Sequence, residues 1–192
     1  MRGLTVGLAL LLLPTGCVGL YAEVGAGMAA LEASGGAARP GLGASYMFSV
    51  GLDSDYAHVS SIAMGVGSHA VQLGDAGTVQ GTSVDYQLTG ALRERSTDER
   101  VVRFGAGVTM LQDGGGALGS RRFTVFDVYV GPGVTWWRSN TSAITATLAP
   151  RYLYLDERSA SSYGGWGAQA RLRYTWLFGD SHFRGNQVLE RR

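Results

Sequence analysis

The sequence predicts an all-β fold, an eight-stranded antiparallel up-and-down transmembrane β-barrel, and three observations lead to it. Apolar and polar residues alternate with a period of two in eight segments, the pattern of strands with one apolar and one polar face. Glycine accounts for 30 of the 192 residues and is concentrated on the polar faces. Beyond the N-terminal segment, no apolar run approaches the roughly 20 residues of a spanning helix, so a membrane protein with this sequence must be a closed barrel.

The clearest alternation lies in residues 163–178, YGGWGAQARLRYTWLF. One face of this segment is apolar and mostly bulky, whereas the other is built from glycine, amide, threonine and arginine. Large apolar residues toward lipid and small or polar residues toward a narrow lumen are typical of a membrane-barrel strand. The apolar face consists of Trp166, Ala168, Ala170, Leu172, Tyr174, Trp176 and Phe178.

Seven further segments alternate in the same way between turn signals. The turns after strands two and four, 53–55 and 95–99, and the turn after strand six are short and polar, whereas the other connections are longer and richer in glycine and serine. Short periplasmic turns and longer outer loops are typical of outer-membrane barrels. The predicted strands before the last are 18–30, 41–52, 56–70, 81–94, 101–111, 123–138 and 142–156.

Residues 1–17, MRGLTVGLALLLLPTGC, predict a secretory signal peptide, because a positive charge at Arg2 precedes a short apolar run. The end of this segment resembles a bacterial lipobox, in which the small Gly16 precedes the single cysteine, Cys17. The resemblance implies that Cys17 is lipidated; the alternative is that an ordinary signal peptide is removed with it. We therefore expect a signal peptide over 1–17, a barrel over 18–178 and a polar tail over 179–192.

A soluble barrel with its apolar face inward is the alternative fold. The glycines favour the membrane barrel, because small residues fit a crowded lumen, whereas glycine on an outer face would only weaken the strands. The net charge of +1 suggests no nucleic-acid partner. The polar-face glycines are Gly25, Gly27, Gly43, Gly51, Gly65, Gly67, Gly105, Gly107, Gly131, Gly133 and Gly167.

Charged residues on the polar faces predict a network inside the barrel. An eight-stranded barrel is just wide enough for side chains to fill it, and buried charges must pair. Such a lumen is a plug and not a pore. Arginines outnumber carboxylates in this set, so we expect some of them near the aqueous rims. The predicted lumen network comprises Glu23, Asp85, Arg93, Arg103, Asp127, Arg151, Arg171 and Arg173.

Aromatic residues on the apolar faces predict two interfacial bands. Pro132 and Pro150 lie on the same face, where bulges could absorb the missing backbone donors. Leu153 and Leu155 interrupt the polar face of strand seven near its outer end. The predicted girdle comprises Phe126, Tyr154 and Trp166 at the outer rim and Trp136, Trp176 and Phe178 at the periplasmic rim.

The eight alternating segments, the short and long connections and the aromatic end of the last strand resemble the small outer-membrane β-barrels of the OmpA and OmpX type. The resemblance covers residues 18–178. It implies a monomeric outer-membrane protein of a Gram-negative bacterium, surrounded by lipid. It also implies that Phe178 is recognised by the barrel-assembly machinery during insertion. No cofactor is expected.

Four functions are compatible with this sequence. The favoured one is a non-enzymatic barrel with a closed, polar-filled lumen and a structural or surface role. A small-solute channel and a soluble ligand-binding lipoprotein barrel are alternatives. An enzyme is the fourth, because His58-Val59-Ser60 resembles the His-x-Ser of lipid A deacylases, although Gln72 stands where that family has Glu. The spacing of the three histidines predicts no metal site.

Overall fold

The chain forms eight strands that close into one antiparallel barrel in a computed structural model, which describes residues 18–34, 41–56, 60–73, 77–92, 98–113, 122–139, 141–157 and 162–178. Each strand pairs with the next, and β8 closes the barrel against β1. The predicted fold class is therefore confirmed. The strands are β1 (Val18–Ser34), β2 (Gly41–Tyr56), β3 (Ser60–Leu73), β4 (Thr78–Ala91), β5 (Asp98–Asp113), β6 (Arg122–Ser139), β7 (Ser142–Glu157) and β8 (Ser162–Phe178).

Several strand ends differ from the prediction. β2 continues through the expected turn 53–55, and β5 begins at Asp98 inside the expected turn 95–99. The turn-forming residue types are overridden because the barrel ladder continues: Asp53 pairs with Gly19 on β1 and with Ala63 on β3. β1 and β3 also extend further toward the outer end, and β4 begins and ends earlier than predicted.

The connections follow the predicted length pattern only in part. The intervals 57–59 and 140–141, after β2 and β6, are short, and the interval 114–121 after β5 is the longest. The interval 92–97 after β4, however, is longer than the intervals 74–77 after β3 and 158–161 after β7. The prediction that the turns after β2, β4 and β6 are all shorter than the other connections is therefore wrong. Within the part of the chain that the structure describes, no helix is long and apolar enough to cross a membrane.

One rule holds in all eight strands for the side chains that the structure describes. Odd-numbered residues point into the barrel and even-numbered residues point outward, because successive side chains alternate between the faces of a strand. Ser54 is the exception among the buried residues described. Outward residues such as Phe48 (49% exposed), Val66 (55%) and Trp176 (55%) are large and apolar. The interpretation as a soluble barrel requires these side chains inside and is therefore wrong.

The two outward-facing prolines lie on the same seam between β6 and β7. Tyr129 pairs with Arg151 and Gly133 pairs with Thr147, and the residues between these two pairs form no strand pairing across this seam. The register is unchanged across the gap, and the one shift in this seam lies at Trp137/Ser139. The expected bulges at Pro132 and Pro150 are therefore wrong: the two strands omit the bonds that proline cannot donate and resume the same register.

Candidate functional site

The carboxylate of Glu23 on β1 lies at the centre of the barrel and accepts hydrogen bonds from three arginines. Arg103 on β5 donates from Nη2 to Oε2 of Glu23 at 2.6 Å. From β8, Arg171 donates from Nη1 to Oε1 at 3.0 Å, and Arg173 donates from Nε to Oε2 at 2.9 Å. Glu23 is almost completely buried, as are all three guanidinium groups. The carboxylate thus holds three strands together through charge-assisted bonds.

Two further carboxylates extend this centre toward the two ends of the barrel. Arg171 donates from Nη2 to Oδ2 of Asp127 on β6 at 3.1 Å, and Nε of Arg151 on β7 lies 3.8 Å from Oδ1 of the same residue. In the other direction, Arg173 donates from Nη1 to Oδ2 of Asp53 on β2 at 3.1 Å. The ion pairs therefore form one connected chain and not separate pairs.

Uncharged groups complete the network across the lumen. The amide oxygen of Gln87 on β4 accepts from both Arg103 and Arg173. Arg103 also donates to Oγ1 of Thr147 at 3.0 Å, and Arg151 donates to Oγ of Ser45 at 2.7 Å. Among the described residues, every strand except β3 contributes to this network, which spans the lumen from wall to wall.

Two tyrosine rings lie against the wall and carry arginines on their faces. The guanidinium carbon of Arg171 is 3.9 Å from the ring centroid of Tyr129, and that of Arg173 is 4.1 Å from the ring centroid of Tyr21. Such cation–π contacts strengthen when they are desolvated. Glycine makes room for each ring: a Cβ at Gly105 would meet Tyr129, with its Oη 2.6 Å away, and a Cβ at Gly51 would meet Cε1 of Tyr21 at 2.7 Å.

Gly105→Ala is expected to destabilise the barrel by about 1–3 kcal/mol, the range for overpacked interiors, because the new methyl group displaces the Tyr129 ring. The matched control is Gly90→Ala, since nothing lies within 4 Å of a Cβ at Gly90. That change should leave stability unchanged or raise it by about 0.4–1 kcal/mol. Urea unfolding from lipid vesicles measures both. Equal effects of the two changes would contradict a tyrosine packed on Gly105.

The outer end of the lumen is apolar, which the sequence reasoning did not predict. Leu153 and Leu155, seen in the sequence as interruptions of a polar face, point inward and are fully buried. They join a cluster above the charged network, on the side of the β1–β2 and β3–β4 connections. Its members are Ala29, Leu31, Val71, Val79, Val125, Leu153 and Leu155, with Tyr163 packed against them.

The opposite end of the lumen, where β1 begins and β8 ends, contains a small polar cavity. Its volume is about 50 Å³, and Asp53, Glu99 and Thr135 contribute to its wall. A site of this size and polarity has room for water. Arg103 and Arg173 line it on the side of the charged network. The charged network therefore separates this cavity from the centre of the barrel.

Seven of the eight residues predicted for the lumen network lie inside the barrel, and Arg93 lies outside the described residues. Asp85 is buried beside Gly107 but forms no ion pair with the described arginines. Asp53 and Glu99 were missed because both were assigned to turns. With them, five buried carboxylates accompany four buried arginines among the described residues.

The six aromatics of the predicted girdle all point outward. Phe126 and Tyr154 form a ring contact at the outer end, with centroids 6.3 Å apart. Trp176 and Phe178 form another at the opposite end, with centroids 6.0 Å apart. Trp166 forms a tilted ring contact at the outer end with Tyr152, which the prediction omitted, and Trp136 lies at the opposite end. The two groups are separated along the strands, as two interfacial bands require.

The residues of the other sequence hypotheses give little further chemistry. Cys17, His58, the signal peptide 1–17 and the tail 179–192 lie outside the described residues. His69 lies inside the lumen, with Nδ1 3.2 Å from Oγ1 of Thr109. Among the residues that the structure describes, no group of three or more His, Cys, Asp or Glu side chains could hold a metal ion.

A closed barrel of eight strands, with large apolar side chains outside and a charged network inside, defines the class: this chain has the fold of an eight-stranded outer-membrane β-barrel. The outer membrane protein OprG from Pseudomonas aeruginosa shares this fold, with 11% sequence identity and a TM-score of 0.54 over 84% of this chain and 96% of that chain. No protein-family model matches the sequence, and no curated protein matches it significantly.

Two further solved structures are similar at lower scores. Neisserial surface protein A (NspA) is 16% identical over 79% of this chain and 95% of its own, with a TM-score of 0.46. The N-terminal β-barrel domain of OprF from Pseudomonas aeruginosa is 13% identical over 81% of this chain and 97% of its own, with a TM-score of 0.47.

Proposed function

We propose that this protein is an integral barrel of the Gram-negative outer membrane, with a closed lumen and a structural or surface role. The observation that carries the proposal is the network around Glu23, which fills the lumen below an apolar layer. The outward side chains favour lipid as the surrounding medium, because a water-facing wall would not expose so many large apolar residues. In this role the protein stabilises the envelope and catalyses no reaction.

The partners follow from the same surfaces. Outer-membrane lipids cover the apolar wall, and the aromatic bands sit at the two polar–apolar interfaces. Phe178, the last residue of β8 and half exposed, is the element that the barrel-assembly machinery recognises during insertion. The closed ladder leaves no free strand edge for pairing with another copy, which favours a monomer.

A small-solute channel is the second candidate, and the cavity at the β1 start, which has room for water, favours it. This cavity holds only about 50 Å³, however, and ends at Arg103 and Arg173. Solute passage therefore requires that the network around Glu23 opens and that the apolar layer at Leu153 and Leu155 separates. Both steps break fully buried contacts, so the closed state is favoured.

The closed lumen predicts that the purified protein passes no steady current in a planar lipid bilayer. The measurement is made on protein that migrates differently on a gel before and after boiling, which shows that the barrel is folded. A sixteen-stranded porin, which leaves an aqueous channel, serves as the positive control. A regular single-channel current from the folded protein would contradict the structural role and favour the channel.

A further inference from the structure

We propose that the outer wall of the barrel binds one glycerophospholipid of the periplasmic leaflet, with its phosphate on Arg100 and an acyl chain in an apolar groove. This inference rests on the proposed membrane location and adds a defined lipid site to it. The observations that carry it are the shape of the wall on β1, β8, β7 and β6, and the charge at the end of that groove.

The groove is a depression of about 840 Å³ between tall outward side chains. Small side chains form its floor, because Ala26, Ala146 and Ala170 lie at neighbouring positions of β1, β7 and β8. Leu148 and Leu172 rise beside these alanines and are half exposed or more. Cross-strand pairing places two rows side by side: Val24, Leu172, Ala146, Val134 and Arg100 in one, and Ala26, Ala170 and Leu148 in the other. Pro132 also lines the groove.

Arg100 is the one charged side chain that points outward among the residues described along this groove. It pairs with Val134 across β5 and β6, and its backbone oxygen accepts from the backbone N–H of Leu92 at 2.9 Å. Its side chain is exposed and forms no ion pair with those carboxylates whose side chains the structure describes, a set that does not include Asp98. A guanidinium left on an apolar wall is stabilised by an anion that lipid itself supplies.

The chemistry at this end of the groove selects a phosphate. A guanidinium binds phosphate oxygens through two parallel N–H bonds, which an ammonium group cannot do. Arg100 lies near the start of β5, at the barrel end that faces the periplasm in the proposed topology, and Trp136 lines the groove beside it. Tryptophan and arginine side chains both favour the level of the lipid head groups. A glycerophospholipid has one anionic head group and long apolar chains, and these match the single cation Arg100 and the apolar groove that extends from it.

The test measures lipid retention by the folded full chain in detergent, using native mass spectrometry with added phosphatidylglycerol. The wild type should retain one phosphatidylglycerol per barrel. Arg100→Gln should weaken this binding about tenfold, which is the size expected from losing a charge-assisted contact. Ala170→Phe, which fills the groove and leaves Arg100 in place, should weaken it to a similar extent. Glycerol phosphate, which has the head group without chains, should not displace the lipid.

Arg138→Gln is the matched control, because Arg138 is an exposed arginine near the same rim and outside the groove. It should leave lipid retention unchanged. Equal weakening by the changes at Arg100 and Arg138 would indicate general charge attraction and overturn the site. A particle of two barrels without lipid would overturn it as well, because a second copy would then cover the groove. Barrels that fold, as shown by heat-shifted migration, yet retain no lipid would overturn the site alone. A chain that enters no membrane would overturn the proposed function as well.

Discussion

Glu23→Gln is expected to lower the free energy of unfolding by about 3–5 kcal/mol, the cost of removing one partner from a buried ion pair. Glutamine keeps the size and shape of the side chain, so the change removes charge and little else. Arg103, Arg171 and Arg173 then lose the carboxylate they share while remaining buried. Urea unfolding of the barrel from lipid vesicles, followed by tryptophan fluorescence, measures the difference.

Glu32→Gln on the same strand is the control for this change. Glu32 is exposed near the outer end of β1, where loss of a charge usually changes stability by less than about 0.5 kcal/mol. A second control, Asp53→Asn, removes a carboxylate that forms an ion pair with only one of the described arginines, Arg173, and its effect should lie between the other two. Equal stability of the variants at Glu23 and Glu32 would mean that Glu23 does not organise the lumen.

The strands and their faces could be predicted from the sequence because one physical rule sets them. Alternation with period two survives in every strand, since the inward and outward environments differ so strongly. The same rule would have identified Asp53, which keeps the odd, inward position of Ser49 and Gly51. The residue types at 53–55 favour a turn, but pairing with β1 and β3 is the stronger constraint and keeps this segment in the strand.

The partners within the network could not be predicted, because they are set by the register of strands distant in sequence. Glu23 meets Arg103 and Arg173 across separations of 80 and 150 residues. Alternation places each of them inside but does not say at which height. The apolar layer was missed for a related reason: Val71, Val79 and Val125 stand singly on their strands, and only the closed barrel brings them to one level with Leu153.

The predicted ratio of carboxylates to arginines in the lumen depends on where the strands end, and strand ends are the hardest feature to predict from such a sequence. Asp53 and Glu99 occupy odd positions just inside the ends of β2 and β5, next to the polar cavity. Adding them changes an excess of arginine into an excess of carboxylate within the described residues. Small errors in strand length therefore change the electrostatics of the lumen more than they change the fold.

Val66→Arg is expected to destabilise the folded protein in lipid vesicles by about 2–4 kcal/mol, the cost of arginine on the lipid face at the bilayer midplane. Val66 lies in the middle of β3, 55% exposed, between Val50 on β2 and Val84 on β4. Its outward direction leaves the lumen untouched. The effect therefore reports the medium outside the barrel and not the packing within it, and urea unfolding from vesicles measures it.

Gln72→Arg, six positions further along β3 and also outward, is the matched control. It lies near the outer end of the strand, where arginine costs only about 0–1 kcal/mol because the side chain reaches the interface. A depth-dependent difference between the two changes is therefore the signature of a bilayer around β3. In water, both positions are exposed surface and both changes should stay within about 0.5 kcal/mol. That second outcome would contradict the membrane location, since the valine row on β2, β3 and β4 would then have no lipid to face.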